Sequence, residues 1–485
     1  MLRFSGMSRL YITTTIPYVN GDPHIGHALE FVQADVLARY HRALGTETYF
    51  LTGTDDNAMK NAQAAEKEGL DVREFVDRNS EKFRKLGDVL HISFDQFIRT
   101  SEDRHREGVG AFWQAVEKNG DIYKKKYRGL YCGGCELFYS PEELNEKGEC
   151  AEHPGRALEE VEEENYFFRL SKYQSWLEKL VESGQLALTP KVRRNEVLAF
   201  IKRELKDFSI SRSARRTKGW GIPVPNDPSQ TIYVWFDALI NYITALGYPD
   251  QKSPLYQTFW EGKSPKLHVL GKGVSRFHAV YWPAMLQSAG LPLPSEEFIH
   301  GYLTVEGEKI SKTAGNVVDP AAIAREYGPE PLRYYLLAKF SPFEDGDFSE
   351  LRLKETYNAD LANGLGNLVS RIAKLAEGEE VKNQGGSLNQ ENFKAYHRAL
   401  KDFRFEEALR FIWVRLSKLD KYIDTQKPWK KSGKFLGKDL RHLVSEIRIL
   451  ADLLEPFLPK TAEKIKRQFR GKITPAPPLF PRLRF

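Results

Sequence analysis

Apolar positions in the first part of the chain follow two different spacings. Residues 9–19 are rich in β-branched and aromatic side chains, a composition typical of a buried strand. After a polar turn at residues 20–23, apolar side chains recur every three or four positions through residue 43, as they do on one face of a helix. A second apolar run occupies residues 48–52. Strand, helix and strand in this order predict a βαβ unit of a parallel sheet.

The same alternation returns later, with strand-like runs at residues 267–270 and 297–300 around a helical stretch at residues 278–288. Between the two halves, cysteines, tyrosines and acidic runs replace it. From residue 351 onward strand patterns disappear. Long amphipathic helices are predicted there, at residues 358–375, 392–425 and 439–467.

We therefore predict an α/β protein with a doubly wound, Rossmann-type parallel sheet that is split by an insertion and followed by an all-α helical bundle. The predicted boundaries are 1–117 and 216–350 for the two halves of the sheet domain, 118–215 for the insertion and 351–485 for the helical domain.

Charge is distributed unevenly along the chain. Residues 351–485 contain 28 Lys and Arg against 16 Asp and Glu, a net charge of +12, whereas residues 1–350 carry a net charge of −6. A basic domain on an acidic body favours a polyanionic partner for that domain. A solvated, lysine-rich helix surface would have the same composition.

Composition excludes several classes of protein. No apolar run approaches the ~20 residues of a membrane helix, and the first nine residues lack the apolar core of a secretory signal. Three cysteines cannot form a disulfide framework, so a reducing, cytoplasmic location is expected. The chain lacks a Walker A loop and a dinucleotide-binding glycine fingerprint, so any nucleotide must be bound in another way.

The segment His24-Ile25-Gly26-His27 lies where the predicted turn passes into the helix. The N-terminus of a helix attracts phosphate through its dipole and its free N–H groups. Two imidazoles at this place can donate hydrogen bonds to phosphate oxygens, and Gly26 leaves room for a flat base beside the backbone. The alternative is a pair of partly exposed histidines without a ligand.

A second charged segment, residues 308–316, follows the last predicted strand. Lys309 and Lys312 lie three positions apart, with Ser311 between them and Gly315 after them, in a loop suited to a transferring phosphoryl group or a leaving pyrophosphate. A charged run of this kind often lies in solvent without a ligand. The two segments together are more informative, because each follows one half of the predicted sheet.

The three cysteines form a metal-binding pattern with one histidine. Cys132, Cys135, Cys150 and His153 are spaced Cys-x2-Cys-x14-Cys-x2-His, and all three cysteines fall within 19 positions. Three thiolates and an imidazole make a closed tetrahedral set for one Zn²⁺, with no position left for a substrate. We therefore predict a structural zinc site that stabilises the insertion. The alternative is three unrelated thiols.

These motifs belong to a longer resemblance. Residues 24–27 and 309–313 resemble the two signature motifs of the class I aminoacyl-tRNA synthetases, and the surrounding sequence is similar to the methionyl-tRNA synthetase family. The first signature is intact, whereas Ile310 and Thr313 depart from the usual second one, and Asp56-Asn57-Ala58 stands where the family commonly has Glu-His-Gly. The stretches that carry the resemblance are residues 17–21, 52–55, 234–242, 277–285, 427–429 and 478–481.

The resemblance implies a ligase that joins L-methionine to the 3′ end of tRNA(Met) in two steps. ATP, taken with Mg²⁺ as a substrate, would first give methionyl-adenylate and pyrophosphate. The residues that would bind ATP are His24, Gly26, His27, Lys309, Ser311 and Lys312, and the catalytic ones among them are His24, His27, Lys309 and Lys312. No side-chain nucleophile is needed, so the rate would come from positioning and charge stabilisation. The family also carries a zinc knuckle in its insertion.

Aromatic residues at helical spacing outline a candidate amino-acid pocket. Trp235, Ala238, Leu239 and Tyr242 share one helical face, and Phe277, His278 and Trp282 cluster on another short helix. Core packing is the commoner role of such residues. The resemblance places them, with Ile16 and Tyr18, around the thioether of methionine, which packs well against aromatic rings. Asp55 suits the substrate ammonium group or a turn, and His278 suits the thioether sulfur or the core.

In the helical domain, the resemblance assigns Asn367, Arg371 and Trp429 to the tRNA anticodon. Arginine fits the edges of bases, and tryptophan offers a stacking surface for an unstacked base. An ion pair is the alternative role for Arg371, and core packing is the alternative for Trp429. The basic charge of the domain would add salt-sensitive attraction to the RNA backbone.

Other functions stay open at this point: a class I synthetase for another amino acid, a nucleotidylyltransferase that does not act on tRNA, and a catalytically inactive zinc-containing RNA-binding protein. The basic helices and the zinc pattern argue against the second, and the intact histidines and lysines argue against the third. The isoleucine, valine and leucine enzymes need a large editing insertion, for which the 281 residues between His27 and Lys309 leave little room. No appended dimerisation module is recognised, so a monomer is expected.

Overall fold

The computed structural model describes residues 9–134, 137–139, 144–150, 155, 157–309, 316–381 and 391–484. In chain order the strands are β1 (Arg9–Thr14), β2 (Glu47–Thr54), β3 (Gln96–Arg99), β4 (Ile122–Cys132), β5 (Leu137–Tyr139), β6 (Glu159–Phe168), β7 (Ala187–Thr189), β8 (Phe208–Ser209), β9 (Ser211–Ser213), β10 (Pro223–Val224), β11 (Asp227–Ile232), β12 (Lys266–Gly271), β13 (Glu296–His300), β14 (Leu303–Val305), β15 (Glu308–Lys309) and β16 (Gly346–Phe348).

The α-helices are α1 (Ile25–Ala43), α2 (Met59–Glu68), α3 (Val72–Val89), α4 (Asp103–Lys118), α5 (Gln174–Glu182), α6 (Lys191–Ile201), α7 (Val234–Leu239), α8 (Asn241–Thr244), α9 (Pro254–Tyr256), α10 (Trp282–Ala289), α11 (Pro320–Tyr327), α12 (Pro329–Ala338), α13 (Glu350–Thr356), α14 (Asn367–Leu375), α15 (Lys394–Lys401), α16 (Phe405–Gln426), α17 (Gly433–Leu454) and α18 (Pro459–Gln468). Short π-helical segments, Gln257–Glu261, Phe277–Tyr281 and Tyr357–Gly366, adjoin some of them.

Six strands of the described chain form one parallel sheet, in the order β3-β2-β1-β12-β13-β7. The two predicted half-sheets meet where β1 pairs with β12, in register from Tyr11 opposite Lys266 to Thr14 opposite Val269. Both strands are buried over most of their length, as expected for a parallel sheet covered on both faces. The strand order runs outward in opposite directions from this pair, which makes it the switch point of the sheet. The predicted parallel α/β core is confirmed.

Antiparallel strands form a separate sheet within the predicted insertion. β4 pairs with β6 from Ile122 opposite Phe168 to Tyr131 opposite Glu159, and β5 and β8 extend the sheet on its two sides. Two basic residues of β4, Lys126 and Arg128, lie opposite Glu164 and Glu162 of β6, so part of the acidic run is paired across the strands.

Strand β7 departs from the prediction. It lies inside the range predicted as the insertion, yet it pairs in parallel with β13 at the edge of the central sheet. Three residues carry too short an apolar pattern to indicate a strand, and the partner strand begins only at Glu296. The chain therefore returns to the central sheet before residue 187, whereas the boundaries at 117 and 350 stay predictions.

The helical domain contains the predicted helices, but two of them are interrupted. One helix over residues 392–425 is a wrong prediction, because α15 and α16 are separated by Phe403, whose φ of 58° lies in the left-handed region. One helix over residues 439–467 is also wrong, because Pro459 opens α18 and proline cannot continue α17. Among the described residues, no helix is both long and apolar enough to cross a membrane.

A buried arginine connects the sheet domain to the helical domain. Arg333, on α12, is fully buried, and its guanidinium forms an ion pair with Asp35 of α1 at 2.8 Å. It also donates to the carbonyl oxygens of Pro456 and Phe457, between α17 and α18. Burial by itself would raise the pKa of Asp35, but the charges of Arg333 and Arg39 hold that pKa below its usual range.

Helix α1 also contacts the helical domain directly. The Tyr40 hydroxyl lies 2.9 Å from Nδ1 of His397 on α15. The Tyr40 ring meets the ring of Tyr396 edge-on at 6.2 Å, and Tyr396 donates to the carbonyl oxygen of Leu453 on α17. The C-terminal part of α1 therefore contacts the helical domain directly, whereas its middle is connected to that domain through Arg333.

Glu297, on β13, is a buried carboxyl without a hydrogen-bond partner among the described residues. It lies opposite His268 of β12 in the sheet register. Burial raises the pKa of Glu297 well above its usual range, so the folded chain keeps this side chain as the neutral acid.

We expect Glu297→Gln to stabilise the protein more at pH 7 than at pH 5. Above the unfolded-state pKa of about 4.3, the unfolded chain releases this proton and the folded chain does not. The parent therefore loses ~1.4 kcal/mol of stability from this group for each pH unit, up to the folded-state pKa, and glutamine has no proton to lose. Urea unfolding of both proteins at the two pH values measures the effect. An equal stability difference at both would contradict it.

Candidate active site

A cavity of about 580 Å³ opens at the switch point of the sheet, beyond the carboxyl ends of β1 and β12. Both halves of the sheet domain contribute to its wall. The first half supplies Thr15, Tyr18, His24, Gly26, His27, Leu29, Glu30 and Lys60, and the second supplies Trp235, residues 271–277 and residues 300–303; Gly134 and Tyr139 come from the insertion.

The two histidines of the first segment cap helix α1. The Gly26 N–H donates to Nδ1 of His24 at 3.1 Å, and the His24 N–H donates to Nδ1 of His27 at 3.1 Å. Because each Nδ1 accepts, the proton of each neutral ring is on Nε2, which remains as a donor. The rings stack at 3.8 Å, and both line the cavity. Two N–H donors and a helix N-terminus therefore lie together in the cavity wall, an arrangement suited to phosphate.

Both imidazoles are neutral at physiological pH. Burial lowers the pKa of His24 to about 4. Burial and the neighbouring His24 lower the pKa of His27 well below its usual range. The pair therefore offers hydrogen bonds without fixed positive charge, so the cavity needs another source of cations to neutralise a triphosphate.

Gly26 has a constraint that the sequence did not indicate. A Cβ at this position would lie 3.0 Å from Cε1 of the His24 ring. The absence of a side chain therefore lets the His24 ring pack against the helix backbone while it caps α1. The prediction that Gly26 leaves room for a base is compatible with this role and stays a prediction.

The second charged segment is only partly described. Gly301, Tyr302 and Leu303 line the cavity, and the chain continues through β14 into β15, where Lys309 pairs with Thr304 across an antiparallel hairpin. This places the Lys309 backbone close behind the cavity wall. Ser311 and Lys312 lie outside the described residues.

Some of the predicted methionine-binding residues form a wall of the cavity, and the others are buried. Tyr18, Trp235 and Phe277 line the cavity, and the Trp235 and Phe277 rings stack at 3.8 Å with an angle of 5° between their planes. Ile16 is half-buried and packs against the same apolar core. The remaining predicted residues are buried behind this wall: Ala238, Leu239, Tyr242, His278 and Trp282.

His278 uses both ring nitrogens within the protein. Its Nδ1 donates to the carbonyl oxygen of Val274 at 2.9 Å, and its Nε2 accepts from the Tyr242 hydroxyl at 2.7 Å. Burial lowers the pKa of His278 to about 4. The geometry favours the core role that the sequence left open, since no nitrogen remains for a substrate.

Asp55 belongs to a buried polar network. Its Oδ1 accepts from the Asn57 N–H at 3.1 Å and from the Thr100 hydroxyl at 3.2 Å. The Asn57 side chain donates to Oδ2 of Asp237 at 2.9 Å, and Oδ1 of Asp237 lies 2.9 Å from Nε2 of His105. Asn57, one of the departures from the family sequence, therefore anchors the segment that carries Asp55 to helix α7.

Sequence reasoning missed a second network in the cavity wall. Oε1 of Glu30 accepts from the backbone N–H and the hydroxyl of Thr15, at 2.8 and 2.5 Å. Oε2 of Glu30 lies 2.9 Å from Nε2 of His300, and Nδ1 of His300 lies 2.7 Å from the Gly301 carbonyl oxygen. A glutamate on the buried face of a predicted helix was the only available signal. It could not indicate a histidine 270 residues away.

The predicted zinc ligands are partly described. Cys132 ends β4 and Cys150 follows a tight turn at residues 145–149, and both thiols are fully buried in the same apolar cluster. Cys135 and His153 lie outside the described residues. Within the described ranges, no group of three or more His, Cys, Asp or Glu side chains is placed to hold a metal.

The three predicted anticodon residues lie in the helical domain. Asn367 is exposed at the start of α14. Arg371 is half-buried and pairs with Asp420 and with Asp424, the latter at 2.7 Å, so the ion pair named as its alternative role is present in this structure. Trp429 is 55% exposed, which rules out core packing as its role.

Comparison with known proteins agrees with this architecture. The family of class I tRNA synthetases described as type M matches residues 10–157 and 152–373. A methionine--tRNA ligase of Brucella suis biovar 1 is 42% identical, with 98% of each chain aligned, and one of Thermotoga maritima is 42% identical over 95% of this chain and 75% of the relative. A solved structure of Mycobacterium tuberculosis methionyl-tRNA synthetase in complex with methionyl-adenylate has a TM-score of 0.89 and 36% identity, covering 98% of this chain and all of that one. The chain therefore belongs to the methionyl-tRNA synthetase family of the class I tRNA synthetases.

Proposed function

We propose that the protein activates L-methionine with ATP and transfers the methionyl group to the 3′ end of tRNA(Met). The observation that carries this proposal is one cavity lined by two chemically different groups. Two neutral imidazoles at a helix N-terminus and a pair of stacked aromatic rings both line it. The relatives named methionine--tRNA ligase and the solved structure with methionyl-adenylate support the same assignment.

In the first step, a carboxylate oxygen of methionine attacks the α-phosphorus of ATP, which is supplied with Mg²⁺. The bond to the β-phosphate oxygen breaks, and pyrophosphate leaves. Nε2 of His24 and of His27 would donate to phosphate oxygens as charge moves toward the leaving group. Because both rings are neutral, Lys309 and Lys312 would supply the positive charge that this transition state needs.

In the second step, a ribose hydroxyl of the terminal adenosine attacks the methionyl carbonyl, and AMP leaves. No side chain forms a covalent bond in either step. Selectivity for the amino acid would come from the wall of Tyr18, Trp235 and Phe277, because a thioether packs favourably against aromatic rings. Asp55, held by Asn57 and Thr100, would receive the substrate ammonium group.

The specificity is tested by a scan of ATP–pyrophosphate exchange over all amino acids. We expect exchange with methionine. Exchange with another amino acid but not with methionine would identify a different synthetase. Exchange without any transfer to tRNA would favour the nucleotidylyltransferase. The monomeric state and the cytoplasmic location remain part of the proposal.

We also propose one structural zinc ion, held by Cys132, Cys135, Cys150 and His153. The donor set fits zinc, and the buried positions of Cys132 and Cys150 agree with a closed site. Bound there, zinc would tie together the two turns of a small sheet with little core of its own.

Protein purified without chelators is expected to contain one zinc per chain by atomic emission. Cys150→Ser should release the metal and lower the melting temperature of the insertion, because three ligands hold zinc less tightly than four. Metal content well below one per chain that does not rise on adding zinc would refute this site.

For tRNA, we propose that Asn367, Arg371 and Trp429 contact the anticodon. Trp429→Ala is expected to reduce aminoacylation by about 10-fold or more through weaker tRNA binding, while methionine-dependent exchange stays unchanged. Comparing the two assays on the same preparation measures this. Equal losses in both would show that Trp429 acts through stability instead.

A further inference from the structure

A second exposed aromatic residue lies close to Trp429 in the chain. Phe435, in the first turn of α17, is 66% exposed, more than any other large apolar side chain in the described part of the chain. We call residues 427–438, which contain both rings, the basic aromatic segment. One exposed apolar side chain is ordinary on a protein surface, but exposed apolar groups rimmed by polar residues are typical of an interaction site, and this segment carries two exposed aromatic rings among lysines.

The charge of the basic aromatic segment is entirely positive. It contains five lysines and no acidic residue. Lys431 is the one that pairs with a carboxylate among the described residues, at 2.7 Å from Asp439. The other four are exposed, and Nζ of Lys434 lies 5.7 Å from the centre of the Phe435 ring. Cations and an aromatic ring therefore face solvent side by side.

Side chains of α16 and α17 hold the basic aromatic segment in place. Lys431 donates to Gln426 at 2.9 Å as well as to Asp439, and Asp439 accepts from the Tyr422 hydroxyl at 2.8 Å. Pro428 is buried, and Lys427 ends α16 in the left-handed conformation. These contacts attach the turn that contains Trp429 to the start of α17. The exposure of the two rings is therefore a consequence of the fold.

We propose that Phe435 is a second stacking surface, so that the basic aromatic segment binds a single-stranded stretch of RNA across both rings. This inference rests on the proposed function and extends it from the anticodon contact at Trp429 to the nucleotides beside it. Exposed rings stack on unpaired bases, and flanking lysines attract the phosphates between them. A second copy of the chain is a poorer fit, because four uncompensated lysines would face four others across a symmetric contact.

The test is binding of a fluorescent 17-nucleotide hairpin with the tRNA(Met) anticodon loop, measured by polarisation. Phe435→Ala is expected to weaken binding by roughly 10-fold, and Phe435→Trp should retain it, since stacking tolerates any aromatic ring. Val414→Ala, which removes a half-exposed apolar side chain from α16 of the same domain, is the matched control and should bind like the parent. Methionine-dependent exchange needs no RNA and reports whether each variant is folded.

The lysines give a second, independent readout. The double variant Lys434→Gln/Lys438→Gln is expected to reduce the slope of log affinity against log salt by about 1.4, or about 0.7 for each lost contact with a phosphate of a single strand. A Phe435→Ala variant that binds the hairpin like the parent would overturn the inference. Two other results would also overturn it. In both, Phe435→Ala still binds the hairpin, but it loses either a dimer that the parent forms or binding of the parent to anionic phosphatidylserine vesicles. If the parent binds the hairpin through Phe435 but shows no methionine-dependent exchange, only the proposed function is overturned.

Discussion

Replacing His24 with asparagine is expected to slow methionyl-adenylate formation by about 10²- to 10³-fold while leaving thermal stability nearly unchanged. The two ring nitrogens of His24 have separate tasks. Nδ1 accepts the Gly26 N–H and caps α1, whereas Nε2 is the donor directed at the cavity. Asparagine is a good N-cap, so its side-chain oxygen can replace the first interaction. It is too short to replace the second.

His24→Ala is the informative comparison, because it removes both interactions and should cost ~1 kcal/mol of stability in addition to the rate. His442→Asn, at an exposed position on α17 outside the cavity, controls for the substitution itself. The measurement is the single-turnover rate of adenylate formation with saturating methionine and ATP, beside a thermal melt. A His24→Asn variant with the parental rate would show that Nε2 does not contact phosphate in the transition state.

Replacing Arg333 with alanine is expected to destabilise the protein by about 3–5 kcal/mol. The change leaves the buried Asp35 carboxylate without its closest buried partner, and it leaves the carbonyl oxygens of Pro456 and Phe457 without a donor. The pKa of Asp35, now held below its usual range, should rise. Its contribution to stability exists above the unfolded-state pKa of about 3.9 and is lost as the pH falls, so the parent should lose more stability than the variant on acidification.

Arg39→Ala provides the matched control for this variant. Arg39 pairs with the same Asp35 carboxylate at 2.8 Å but is partly exposed, so water can replace it at a smaller cost. Chemical unfolding of the three proteins at pH 7 and at pH 3, below the unfolded-state pKa, gives both the size and the pH dependence. Similar losses for the two arginine variants would mean that the buried position of Arg333 has no special weight.

Local patterns were enough to predict the first signature and four of the six described strands of the central sheet; β3 and β7 were not predicted. β1, α1 and β2 are consecutive in the chain, and each is long enough to show the apolar spacing typical of its own type of element. The sequence placed His24 at the start of α1, but its role as the helix cap was not predicted, because histidine is not among the residues that commonly cap helices. The stacked wall of Trp235 and Phe277 needed the family resemblance, since spacing alone could not separate a pocket from a core.

The features that escaped prediction depend on pairs of residues far apart in the chain. The partner of Glu30 is His300, the partner of Asp35 is Arg333, and the partner of Asn57 is Asp237. Each of these groups, seen alone, is an ordinary polar residue on a helix or a loop. β7 escaped for the same reason: its three residues become a strand only because β13 lies beside them. All four features depend on contacts between distant parts of the chain, and no short stretch of sequence contains both partners.

Helix α1 spans roughly 28 Å for its 19 residues. Its first turn holds the imidazole pair at the cavity, while farther along Tyr40 contacts His397 of the helical domain and Asp35 pairs with Arg333, which donates to that domain's backbone. A single helix therefore connects the cavity to the helical domain. We expect a movement of the helical domain, where the proposed RNA contacts lie, to be transmitted along α1 to the two imidazoles.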